Sequence, residues 1–380
     1  MVCDSESSGL RMMREEIIYL FVAMKRYSQS VSARKHNSDS TGAGLKGKFT
    51  RPAPDGVRFH REDSTLKRKI GFPWLSVIIA MVIVSTAHAA AWQAPAGGEQ
   101  IPLWPDNAVI ARPGVKGEES TQQSESLVAG HPSTIVENVV RPTMTVFAAK
   151  GMRTGAAIVV FPGGGYHNLW IDIEGTEVCD WITAKGVTCV VLKYRVPGGG
   201  PYGLDMPRVP MALQDAQRAI GLMRERGSEW GIDPHKVGVL GFSAGGHLVA
   251  WVSNEPKRRY APVDAADKQS SRPDFAVVLY PGHIWDYVDD AMRKPANGLR
   301  VTKDAPPTFI LQAQDDPVDN IHESLTYYLA LLNANVPTEL HLYPHGGHAF
   351  GLRRTEQAIT QWPRLVETWM QGIGMLPKDR

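Results

Sequence analysis

Gly241-Phe242-Ser243-Ala244-Gly245-Gly246 decides how this chain reads. It is entered from the apolar run Val237-Gly238-Val239-Leu240 and left through His247-Leu248-Val249-Ala250-Trp251. A short apolar strand, then G-x-S-x-G, then a helix-compatible stretch is the arrangement of a nucleophile elbow. The turn is so tight that the residues flanking the serine must be small, and the serine then stands above the sheet at a helix N-terminus. The pentapeptide alone is a weak signal; the strand before it and the partners downstream give it weight.

Around the elbow, apolar runs alternate with helical patterns. Strands are expected at 135–140, 144–148, 156–161, 187–194, 275–280, 308–313 and 338–343. Helices are expected at 177–184, 209–226, 321–333 and 356–370, the second with apolar positions Met211, Leu213, Ala216, Ile220 and Met223. Strands that are apolar without polar alternation, interleaved with helices, predict an α/β fold, a mostly parallel sheet covered by helices on both faces. In open sheets of this kind sites form at the carboxyl ends of strands.

The N-terminal part reads differently. Lys67-Arg68-Lys69, the apolar run from Ile70 to Val84 and Ala87-His88-Ala89 have the order of a signal peptide over 67–89, with cleavage near Ala89/Ala90. The competing reading is a membrane anchor, but the run is short for a span and no basic stop-transfer cluster follows. Residues 1–66 form a polar preamble without sustained periodicity, expected to reflect an over-called start with translation beginning near Leu66. The alternative is a disordered tail before an uncleaved anchor. Residues 90–131, rich in Pro, Gly, Gln and Ser, read as an extended lead-in, and 132–380 as the catalytic domain. Export to the periplasm or the medium follows, with no stable membrane association after cleavage. Residues 1–69 hold 14 Lys and Arg against 8 Asp and Glu, so with a whole-chain net charge of +2 the remainder is net −4. A mildly acidic domain argues against nucleic acid as a partner. Of three cysteines, Cys179 falls in a helix and Cys189 in the next strand, both in apolar surroundings. Two buried free thiols are expected, with a disulfide as the alternative.

Acyl transfer by serine needs an activated hydroxyl, a base with an orienting acid, and donors for the oxyanion. In this architecture the chain order is Ser, then Asp or Glu, then His. Gln314-Asp315-Asp316-Pro317-Val318 follows one strand, and Pro344-His345-Gly346-Gly347-His348-Ala349-Phe350-Gly351 follows the next. Asp-Asp and Asp-Pro are ordinary turn formers, but their position between elbow and histidine loop points to an orienting acid. Asp316 is preferred, with Asp315 capping the turn or facing solvent. His348 is preferred to His345 because its Gly-rich loop can carry the ring back over the serine. Phe161-Pro162-Gly163-Gly164-Gly165-Tyr166 follows the strand beside the elbow, and glycines there let N–H groups approach a developing charge. Gly164, Gly165 and Ala244 are the candidate oxyanion donors, and Gly163, Tyr166 and His167 the candidate substrate contacts. A phosphate loop would need a Lys that is absent. No metal-ligand spacing connects His167, His345 and His348, so no metal and no cofactor are expected.

These motifs, together with Glu174-Gly175, Val191-Leu192-Lys193-Tyr194-Arg195, Asp215-Ala216-Gln217-Arg218-Ala219-Ile220 and Gly346-Gly347-His348, resemble the α/β-hydrolase esterases over about 132–375. The branch they resemble most is the bacterial acetylesterase and acetyl-xylan-esterase-like one. The resemblance implies Ser243, Asp316 and His348 as catalytic triad. The chain departs from the family at Asp319-Asn320, where Val-Pro is common, and at Ala349, where the histidine loop often reads G-G-H-G. The reading implied is an exported serine esterase removing acetyl or other short acyl groups from plant polysaccharides or oligosaccharides such as acetylated xylan. The alternatives are a prolyl-oligopeptidase-type peptidase, for which no propeller-sized segment precedes the domain, a general carboxylesterase, and a non-catalytic carbohydrate-binding protein. The loops 197–210 and 281–306 are expected to shape the acyl pocket. Tyr202, Trp285 and Tyr287 serve there either to stack on sugar rings or to anchor the loops. Oligomeric state is not legible.

Overall fold

The computed structural model describes residues 90–378 apart from 116, 197–209, 286–291 and 293. The readings of 1–66 as preamble and 67–89 as signal peptide therefore lie outside the described residues, as do Tyr202, Tyr287 and nearly all of the 197–210 loop.

The elements in chain order are β1 (Gly98–Pro102), β2 (Ser120–Gln123), β3 (Thr134–Glu137), β4 (Thr143–Phe147), β5 (Ala157–Phe161) and β6 (Asn168–Trp170). Then follow α1 (Glu177–Thr183), β7 (Thr188–Lys193), α2 (Pro210–Glu225), α3 (Gly227–Trp230), β8 (Val237–Phe242) and α4 (Ala244–Asn254). The chain closes with β9 (Ala276–Leu279), β10 (Thr308–Ala313), α5 (His322–Asn333), β11 (Thr338–Tyr343) and α6 (Trp362–Gly372). An eight-stranded sheet has the order β1-β4-β7-β5-β8-β9-β10-β11. From β7 to β11 the pairs are parallel, whereas β1–β4 and β4–β7 are antiparallel. Every residue of β5, β7, β8, β9 and β10 is buried. Side chains alternate between the faces of a strand, so both faces are covered. Helix α2 packs on α4, and α1 meets α6 through an edge-to-face contact of Trp181 with Trp362. These helices, together with α5 against β10 and β11, contribute the cover. This is the α/β-hydrolase fold, as expected from the sequence.

Two expectations are corrected. The lead-in over 90–131 is built into the fold: β1 extends the main sheet along β4, and Trp92, Leu103 and Trp104 are buried in the core. Strand β3 leaves the main sheet for a small antiparallel one of order β2-β3-β6. The cysteines are not free thiols. Cys179 on α1 and Cys189 on β7 form a disulfide with Cα atoms 5.2 Å apart, within the span a disulfide bridges. Apolar surroundings suit a bonded pair as well as two thiols, and α1 lies directly on β7.

Candidate active site

Ser243 sits between β8 and α4 with φ 51° and ψ −120°. Such a conformation costs a non-glycine residue about 1–3 kcal/mol and persists only where its surroundings enforce it. They do so here. The Ser243 N–H donates to the Leu279 carbonyl of β9 and its carbonyl accepts from His247 N–H. A Cβ on Gly241 would strike the Gly245 carbonyl, and one on Gly245 would strike the Phe161 carbonyl. The two glycines thus let α4 close against β5 and β8 directly below the serine.

The turn after β10 and the loop after β11 bring the other partners. His348 Nε2 lies 3.0 Å from Ser243 Oγ, and His348 Nδ1 lies 2.8 Å from Asp316 Oδ2. The other oxygen of Asp316 accepts from the N–H groups of Val318 and Asp319, each at 2.9 Å, and its side chain is fully buried. A carboxylate fixed on one edge by backbone donors presents the other in a set direction, which holds His348 Nδ1 as the protonated nitrogen and Nε2 toward the serine. Asp315 instead accepts from Gly346 N–H, Gly347 N–H and His345 Nδ1. It ties the two loops together at the surface, and His345 goes with it. Burial alone would lower the pKa of His348. The hydrogen bond and charge of Asp316, with the charges of Asp319 and Glu174, outweigh burial and hold it above the ordinary histidine value.

The glycine turn after β5 divides its labour. Gly163, expected as a substrate contact, has its N–H occupied within the protein, donating to Glu174 Oε2 at 2.7 Å. The Gly164 carbonyl accepts from His167 and Asn168 N–H. Among the described residues, the N–H groups of Gly164, Gly165 and Ala244 have no acceptor, and Ala244 opens a helix whose first N–H groups have no intrahelical partner. Tyr166 does not face a ligand either. At φ 61° its side chain turns inward, is wholly buried, and lies 2.9 Å from His247 Nδ1. Trp251 Nε1–H donates to His247 Nε2, which leaves Nδ1 of the neutral ring to donate to the tyrosine oxygen. His167 is exposed. Trp285 stacks on His322 with ring centroids 4.5 Å apart.

Two carboxylates were missed. Glu174, in a π-helical turn over Asp172–Thr176, also accepts from Tyr280 OH at 2.9 Å. The Tyr280 ring meets His348 edge-on at 4.9 Å. Burial raises the pKa of Glu174 against the opposing pull of His348, Tyr280 and Gly163. Asp319 places Oδ2 3.3 Å from Ser243 Oγ and 3.7 Å from His348 Nε2, so it competes with His348 Nε2 for the single serine proton. Burial and the neighbouring Asp316 charge push its pKa up to about 6, against His348 and Ser243. Its departure from the family pattern is the signal that could have marked it. Among the described residues no group of three or more His, Cys, Asp or Glu is placed to hold a metal ion, and no helix is long and apolar enough to cross a membrane.

A family model described as the alpha/beta hydrolase fold matches residues 158–297. The acetylxylan esterase of Xylanibacter ruminicola is 30% identical over 246 residues, covering 60% of this chain and 47% of that protein. Endo-1,4-beta-xylanase B of Butyrivibrio fibrisolvens is 25% identical over 222 residues, covering 52% and 33%. This chain thus spans less than half the length of either relative. Among solved structures, the acetyl ester-xyloside bifunctional hydrolase of Caldicellulosiruptor lactoaceticus superposes with a TM-score of 0.57 at 29% identity, covering 73% of this chain and 97% of that one.

Proposed function

Since the chain has the α/β-hydrolase fold, we propose that it is a serine esterase releasing acetyl and other short acyl groups from esterified plant oligosaccharides or polysaccharides such as acetylated xylan. One observation carries the reading: a continuous hydrogen-bonded chain from Ser243 Oγ through His348 to Asp316, all three at strand ends, beside N–H groups with no acceptor among the described residues. Ser243 Oγ attacks the ester carbonyl carbon while His348 Nε2 takes its proton. Asp316 holds the ring and stabilises its charged form. Ala244 N–H with Gly164 or Gly165 N–H receives the oxyanion. His348 then gives the proton to the departing alcohol oxygen, leaving an acyl-serine. Water, activated by the same His348, releases the acid.

The acetyl-sugar substrate class is supported by the likeness to an acetylxylan esterase and to an acetyl ester-xyloside hydrolase. Export is supported by the Cys179–Cys189 bond, since disulfides persist in oxidising compartments. Release of acetate from acetylated xylo-oligosaccharides is the test, using the full chain beside Ser243→Ala with p-nitrophenyl acetate and butyrate as controls. Release that the variant abolishes supports the reading. Hydrolysis of the nitrophenyl esters alone removes xylan from it, and inactivity on every ester overturns it.

A further inference from the structure

Resting on that esterase reading, we propose that Asp319 is a specificity-determining residue that accepts a hydrogen bond from a free hydroxyl on the carbon next to the scissile ester. The preferred substrate would then be an ester of a vicinal diol or polyol.

The geometry follows from where the leaving oxygen must go. To collect its proton it must come within hydrogen-bond reach, about 3 Å, of His348 Nε2. Asp319 Oδ2 lies 3.7 Å from that nitrogen and 3.3 Å from Ser243 Oγ. It therefore flanks the space that the leaving alcohol occupies, and a hydroxyl one carbon further along that alcohol falls beside it. Asp316 is not available for the same task, because it is spent on His348 Nδ1 and two backbone donors.

The carboxylate is also short of partners. Its side chain is 10% exposed, yet among the described residues its contacts are the Ser243 hydroxyl, whose one proton His348 Nε2 also claims, and His348 Nε2 itself at 3.7 Å, with no Lys or Arg within ion-pair distance. An ionised carboxylate offers about four acceptor positions, and a buried one without donors is costly. Its place is nonetheless built. The backbone N–H of Asp319 donates to Asp316, Gln312 Nε2 donates to its carbonyl at 2.7 Å, and a Cβ on Gly282 would come within 2.5 Å of its Oδ1. The missing donor is one that arrives with the substrate. In its ionised form the group is an acceptor.

The test compares 1-acetylglycerol with propyl acetate, which carry the same acyl group on three-carbon alcohols and differ in the hydroxyls. The kcat/KM ratio of the two esters is measured for the full chain, Asp319→Asn and Asp319→Ser. A charge-assisted hydrogen bond present in the transition state predicts that the ratio falls about tenfold to a hundredfold in both variants, whatever happens to either rate alone. An unchanged ratio, or equal acceleration of both esters, overturns the role of Asp319 and leaves the esterase reading intact. A wild-type chain that hydrolyses neither ester overturns both.

Discussion

Asp215 and Asp319 are both buried carboxylates of one chain, and they are treated in opposite ways. Asp215 on α2 accepts from the Arg195 backbone N–H, from its guanidinium and from Trp104 Nε1, with both charged side chains fully buried. Arg195 turns its remaining donors to the carbonyls of Ala111 and Met211 and to Gln214. Every member of that network is matched from within the protein. Asp319 faces the active site, where the Ser243 hydroxyl is shared between it and His348 Nε2. Burial costs both groups, but only the first is offset by the fold itself. A saturated carboxylate binds parts of the protein together, whereas an unsaturated one has acceptor capacity left for a ligand.

The comparison can be broken at either pole. The largest effect belongs to the site: Asp316→Asn leaves the wrong nitrogen of His348 protonated and is expected to lower kcat on p-nitrophenyl acetate by about 10⁴-fold. Its thermal midpoint should stay close to that of the parent. Asp215→Asn leaves the Arg195 charge buried without its counter-ion and should cost about 3–5 kcal/mol by urea denaturation. Asp319→Asn, measured alongside it, should lose little stability or gain some, because it removes an under-partnered charge. Equal losses in the two variants would erase the distinction drawn here. The smallest effect is in pH dependence. Activity rises as His348 loses its proton, and the negative charges of Asp316, Asp319 and Glu174 hold that step above the ordinary histidine value. Removing the Asp319 charge makes the imidazolium easier to deprotonate. The acid limb of kcat/KM should therefore move to lower pH in Asp319→Asn, by less than about one unit, and a limb that moves upward would contradict the sign.

Much of this was legible before any coordinates. Strands such as Ala157–Phe161 and Thr308–Ala313 are found where their apolar runs lie, because a strand buried on both faces leaves no ambiguity of period. Ser243 and Asp316 were legible because each follows the point where such a run stops, and His348 because its glycine-rich loop follows the next strand. Gly98–Pro102 was not: an edge strand with a glycine, a proline and half-exposed residues carries no apolar signature. Tyr166 was misplaced because adjacency to a glycine turn does not say which way a side chain points, and its positive φ sends it into the core. Asp319 was visible as a departure, but its partners lie 76 residues upstream and on another loop, where no local pattern could join them.

The disulfide has a mechanical meaning for the sheet. Strands β1 and β4 form its N-terminal edge: among the described residues β1 pairs in the sheet with β4, and β4 joins the remaining strands through β7. These are the strands a protease or a pulling force can peel away. The strand they would expose, β7, is sewn by Cys189 to the helix lying over it. Fraying that starts at this border therefore meets a covalent seam one strand before β5, whose glycine turn carries the candidate oxyanion donors.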